Sequence, residues 1–133
     1  MSEAPPEWHR LLLEGADRFE TGRSEEAIEI FRGLLSREEI SATDKCTIGC
    51  NIAMVLAKTG RPDEAVTWYD HAATYDPPTS TVFAAEEKAA MLHTHERWHQ
   101  AMATYDELLA MPDLPEDARR RVENNVGVLR GEA

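Results

Sequence analysis

Apolar residues recur along this chain at helical spacing in seven blocks, parted by short polar, glycine or proline breaks. The first holds Trp8, Leu11, Leu12, Gly15, Ala16 and Phe19, and ends near Gly22. Pro5-Pro6 should open it, because proline is tolerated in a first helical turn. Ala27, Ile28, Phe31, Leu34 and Leu35 form the second stripe, for which Ser24 is the expected N-cap, with Glu25 and Glu26 facing the positive end of the helix dipole. After the polar connection 36–44, Thr43-Asp44 should cap a third helix carrying Ile48, Ile52, Ala53, Val55 and Leu56. Gly60 ends that helix and Pro62 suits the first turn of the fourth, which holds Ala65, Val66, Trp68 and Tyr69 and is expected to stop at Pro77-Pro78. A fifth block runs through Phe83, Ala85, Ala89 and Leu92, and a sixth from about Trp98 through Ala101, Met102, Tyr105, Leu108 and Leu109. The break at 111–117 precedes a seventh helix, opened by Pro115 and carrying Ala118, Val122, Val126 and Leu129.

The blocks pair into an internal repeat. Gly22-Arg23-x-x-Glu26-Ala27-Ile28-x-x-Phe31 matches Gly60-Arg61-x-x-Glu64-Ala65-Val66-x-x-Tyr69 in register. A third copy, Arg97-Trp98-x-x-Ala101-Met102-x-x-Tyr105, has Glu96 where the turn glycine stands. The marker alanines are 38 and then 36 residues apart. With small residues at Ala53 and Ala65 where two helices must approach, the stretch Asn51–Pro77 resembles a tetratricopeptide repeat, whose period is about 34 residues. The extra length falls in the polar connections, where it costs little. This resemblance implies an all-α fold: an α-solenoid of three helix-turn-helix repeats (about 6–40, 44–78 and 80–113) and a closing helix (115–130), making a single domain over 1–133 with seven helices. Asn125-Val126-Gly127 repeats the pattern of Asn51-Ile52-Ala53, so the closing helix occupies the place of a fourth repeat's first helix. Arg119, Arg120, Arg121 and Glu123 supply the polar side that a solenoid end requires.

Composition narrows the function. A length of 133 residues with 42% apolar content fits one folded domain. No apolar run is long enough to span a membrane, and the N-terminus lacks the basic flank and apolar block of a secretory signal. Cytoplasmic residence is the default expectation, and two cysteines, Cys46 and Cys50, make no disulfide framework. The bias toward Arg over Lys, with abundant Ala, fits a GC-rich bacterial genome. A net charge of −11 disfavours free nucleic acid, whose binding requires cations against phosphates, and favours basic partners.

In proteins of the resembled family the first helices of successive repeats line a concave groove where peptides dock. The matching positions are His9, Leu12, Ala16 and Phe19 in the first repeat and Thr47, Cys50, Asn51, Met54 and Lys58 in the second. They are Phe83, Glu86, Glu87, Ala90 and His93 in the third, and Arg121, Asn124 and Val128 in the closing helix. Leu12, Phe19 and Met54 have the competing explanation of plain packing between helices. The carboxylate clamp that some members use to grip acidic chaperone tails needs cations and amides. Its positions here hold Leu12, Ala16, Asn51, Phe83 and Glu87, so it is rejected. The groove instead suits a protein or peptide segment with apolar anchors and basic neighbours, Met54 giving an adaptable contact and Glu86 and Glu87 selecting the basic residues. That preference is similar to that of small three-repeat chaperones of type III secretion.

Other chemistry has less to stand on. His95 and His99 have the i,i+4 spacing of helix-borne zinc ligands and His93 lies nearby, but the expected turn falls between them and no Cys-rich or HExxH motif supports a metal site. Cys46 and Cys50 sit one helical turn apart and are expected to pack rather than react. Nucleophile triads, phosphate-binding glycine loops and dinucleotide fingerprints are absent, so the chain is expected to be an adaptor without a cofactor and not an enzyme. The rival expectations are a self-associating scaffold, homodimeric through its end faces, and, more remotely, a metal-binding protein.

Overall fold

A computed structural model describes residues 6–132, with the side chain of Glu132 left aside. Pro5, half of the expected helix-opening pair, lies outside the described residues. Seven helices and no strand make up the described chain: α1 (Glu7–Glu20), α2 (Ser24–Leu35), α3 (Ala42–Lys58), α4 (Pro62–Ala72), α5 (Thr79–Thr94), α6 (Trp98–Leu109) and α7 (Glu116–Glu132). The fold is an all-helical solenoid. Each helix packs on the one after it, α3 also packs on α5, and α5 also packs on α7. None of the helices is long and apolar enough to cross a membrane.

The three turns between paired helices share one backbone geometry. Gly22 and Gly60 both have φ 81°, the left-handed region that glycine enters without a Cβ penalty. Glu96 takes the same place at φ 59°. The following arginine donates its N–H to the carbonyl of the residue five back in all three: Arg23 to Arg18, Arg61 to Leu56 and Arg97 to Leu92. A pattern broken in sequence at Glu96 is thus unbroken in the backbone.

Close helix approach depends on the small residues. Ala27, Ala53, Ala65, Ala89 and Ala101 are all fully buried. A Cβ added at Gly15 would sit 2.6 Å from Cε1 of Phe31, and one at Gly49 would meet Cβ of Ala72 at 3.1 Å. Around these contacts the apolar side chains form two cores. The larger joins α1 to α5 through Phe31, Leu34, Ile48, Ile52, Leu56, Tyr69 and Leu92, and the smaller joins Ala89, Tyr105, Leu108, Leu114, Ala118, Val122 and Val126. Ile40 and Leu114 pin the connecting segments into these cores.

A polar ladder crosses the repeats at the turn arginines. The guanidinium of Arg61 reaches back to Glu25 at 2.6 Å while also holding Glu64 in its own repeat, and Arg97 pairs with Asp63 in the same manner. The carboxylates are exposed and the two arginines only half-buried, so the ladder sets register more than stability.

Three local expectations differ from the structure. Ser24 is already helical and makes no capping bond; Arg23 holds the N-cap position. The third helix starts at Ala42 and is capped by Ser41, whose Oγ accepts from the Asp44 N–H at 3.1 Å, ahead of the expected Thr43-Asp44. Finally, α4 stops at Ala72, short of Pro77-Pro78. There Ser80 competes for the backbone: its buried hydroxyl donates to the Ala73 carbonyl at 2.7 Å and accepts from the Asp76 N–H at 2.9 Å, which holds the chain in a non-helical turn.

Candidate interaction groove

The helices α1, α3, α5 and α7 stand side by side with cavities in the seams between them. Between α1 and α3 a cavity of about 270 Å³ is walled by Leu12, Leu13, Ala16, Phe19, Asn51 and Met54, with Glu20 at its lip. Met54 also borders the next one, about 210 Å³ between α3 and α5, with Lys58, Glu87, Ala90, Met91 and His95. Toward the other ends of the same two helices lies a space of about 230 Å³, lined by Thr43, Cys46, Thr47, Asp76, Ser80 and Phe83. The last, about 260 Å³ between α5 and α7, is lined by Val82, Phe83, Glu86, Asp113, Asp117, Ala118 and Arg121. Met54 and Phe83 each border two cavities, and Phe83 is 43% exposed.

Helical spacing explains why these side chains converge. Leu12, Ala16 and Phe19 share one face of α1, and Asn51, Met54 and Lys58 share one face of α3, at i,i+3 and i,i+4 steps. The opposite face of α3 carries Ile52, Val55 and Leu56 into the core. The groove walls and the core are two sides of one periodic pattern.

Twelve of the groove positions singled out in the sequence border one of these cavities: Leu12, Ala16, Phe19, Asn51 and Met54 together, Lys58, Glu87 and Ala90 beside Met54, and Phe83 itself with Thr47, Glu86 and Arg121. Others do not. His9 stacks edge-on against Trp8 with ring centroids 4.1 Å apart, and His93 packs against Trp98 at 5.2 Å. Asn124 is exposed on α7. Cys50 is only 6% exposed and belongs to the main core. Its place one turn beyond Cys46 carries it inward, and it is Cys46 that reaches a cavity wall, its Sγ 3.9 Å from the Ser80 carbonyl. Burial pushes both thiols above their ordinary pKa, Cys50 far more than Cys46, and does the same to the Tyr69 phenol. Both cysteines are free and buried.

The charged side chains are not all open to a ligand. Arg121 donates from Nε and Nη2 to the two oxygens of Glu86, each at 2.9 Å, and from Nη1 to Asp117 at 3.4 Å. Glu86 is therefore already engaged by a cation of its own chain, which lowers the charge it can offer to a basic residue of a partner. The Asp117 carboxyl is held below its usual range, first by the Ala118 N–H and then by Arg121. Asp76 accepts from the Thr43 hydroxyl at 2.7 Å. Among the described residues no three His, Cys, Asp or Glu side chains are placed to hold a metal ion. His95 follows the end of α5 and lines a groove cavity, whereas His99 is exposed on α6.

Residues the sequence pattern left aside also enter the site. Leu13, 71% exposed, sits at the lip of the α1–α3 cavity, and Asp113 comes from the connection before α7. The repeat register could have found Asp113, since that connection leads into the groove helix α7.

A family model for the tetratricopeptide repeat matches residues 50–79, from the middle of α3 through all of α4 to the start of α5. That segment is a tetratricopeptide repeat. The flanking pairs α1–α2 and α5–α6 reproduce the turn geometry of the matched segment. No curated protein matches the chain. The tetratricopeptide repeat is a protein-interaction fold, so the seams between its first helices are the natural place to look for a partner.

Proposed function

We propose that this protein is an adaptor that holds a segment of a partner protein in the groove along α1, α3, α5 and α7. The single observation that carries this reading is the row of cavities joined at two shared apolar side chains, Met54 and Phe83. Apolar side chains of the partner enter the cavities and lose their water contact, the main favourable term in such association. The protein's charge of −11 speeds encounter with a basic segment, an advantage that salt removes. Self-association has less support: exposed side chains on α7 are mostly polar (Arg120, Glu123, Asn124, Asn125), with Val128 the large apolar exception.

The test is the affinity of a copurified partner for Met54→Glu and Phe83→Ala. Each substitution removes an anchor shared by two cavities, and each is expected to weaken binding about tenfold or more. Wild-type affinity in both variants would refute the groove.

A further inference from the structure

The groove is electrically lopsided. Around Met54 the acidic and basic side chains are Glu20, Lys58, Glu87 and His95, a mixture with little net charge. Around Phe83 they are Asp76, Glu86, Asp113, Asp117 and the single cation Arg121. Arg121 is shared between Glu86 and Asp117, and among the described residues the Asp76 carboxylate is met only by a neutral hydroxyl. Asp113 is exposed and makes no hydrogen bond or ion pair among the described residues. The Phe83 end thus keeps a surplus of negative charge beside an exposed aromatic ring, and the Met54 end offers apolar surface with near-neutral walls.

We propose that the partner segment is itself polarised, with basic residues at one end that lie beside Phe83 and Asp113 and uncharged apolar residues at the other that fill the Leu12–Met54 cavity. This rests on the groove reading above and adds the chemical class of the occupant and its direction along the solenoid. Uniformly basic segments place cations over Leu12, Phe19 and Met54, where Glu20 and Glu87 share the walls with Lys58 and little net negative charge offsets the lost hydration. Segments without cations leave the surplus at the Phe83 end uncompensated. Complementarity of this kind fixes register more than it raises affinity.

The probe is a short synthetic peptide with lysines confined to one end, leucine and phenylalanine at the other, and a nitroxide label on the lysine end. Bound to isotope-labelled protein at low salt, it is expected to broaden the amide signals of Val82, Phe83 and Ala118 strongly and those of Leu12, Ala16 and Met54 weakly. Asp113→Lys is expected to weaken binding about fivefold, and Glu20→Lys less than about twofold. Broadening centred on Leu12 and Met54, or spread equally over both ends, overturns the polarity and leaves the groove standing. Equal losses from the two charge reversals do the same. Absence of saturable binding by this peptide and by its scrambled-order counterpart overturns both the polarity and the groove.

Discussion

The helices α3 and α5 occupy the same place in successive repeats, yet they are held very differently. More than half of α3 is buried, from Cys46 through Ala57, because it has helices on both flanks. In α5 about a third is buried, and its second flank faces α7, whose exposed residues are mostly polar. The core divides accordingly, with one large cluster around α3 and a thinner one around Tyr105, Leu114, Val122 and Val126. In a solenoid each repeat is stabilised by its neighbours, so an inner repeat gains two interfaces and an end gains one. The difference teaches that the centre carries the fold, while the C-terminal end has room for the charges and cavities that distinguish this protein.

The largest effect should come from opening the central core. Leu56→Ala removes a nearly fully buried side chain and is expected to cost about 3 kcal/mol, lowering the urea midpoint of the whole chain. Val122→Ala in the thinner cluster should cost less, about 2 kcal/mol, and should act locally. Hydrogen exchange separates the two: the α7 amides should lose protection in Val122→Ala while those of α3 keep theirs. If both substitutions accelerated exchange equally in α3 and α7, the solenoid would be one uniform cooperative unit and the comparison would fail.

A smaller effect, of opposite sign, is expected at the α5–α6 turn. Glu96 holds the left-handed conformation that Gly22 and Gly60 adopt freely in the other two turns. Glu96→Gly should therefore stabilise the protein by about 1 kcal/mol, visible as a raised midpoint in thermal or urea unfolding. Destabilisation would mean that the glutamate side chain contributes more than its backbone strain costs.

The buried thiols mark the centre by an effect that is nil at neutral pH. Burial raises Cys46 and Cys50 above their ordinary range, so the folded state keeps their protons where the unfolded chain would release them. Stability is therefore intact below an unfolded thiol pKa of about 8.5 and falls as pH rises beyond it. Both thiols should resist a thiol reagent in the native protein at pH 8 and react fully once it is unfolded in urea. Rapid native reaction at Cys50 would contradict its place in the core.

Much of this fold is legible in local pattern. Ala27, Ala65 and Ala101 mark the close crossings because only a small side chain fits them, and Gly22 and Gly60 mark turns because their φ is positive. Helix limits were less legible: Ser24 and Ser41 both suit a cap by residue type, yet α2 starts at Ser24 itself and only Ser41 makes a capping bond. The end of α4 depends on Ser80, eight residues beyond Ala72. Groove facing followed from periodicity for Met54 and Asn51, whereas Cys50, next to Asn51 in sequence, lies in the core. The pairing of Glu86 with Arg121 joins residues 35 positions apart on different helices, and no local pattern announces it. That pairing changes which carboxylates a partner can meet, so the charge layout of the site emerges only in three dimensions.

The most direct test of the account is a map of amide shifts on titrating isotope-labelled protein with a partner segment that binds it. Groove binding requires the perturbed residues to fall on the exposed faces of α1, α3, α5 and α7, centred on Met54 and Phe83, with the outer faces of α2, α4 and α6 unmoved. Perturbations clustered instead on Glu29, Thr67 and Glu107, on the faces of α2, α4 and α6 turned to solvent, would place the partner on the other side of the solenoid and contradict it.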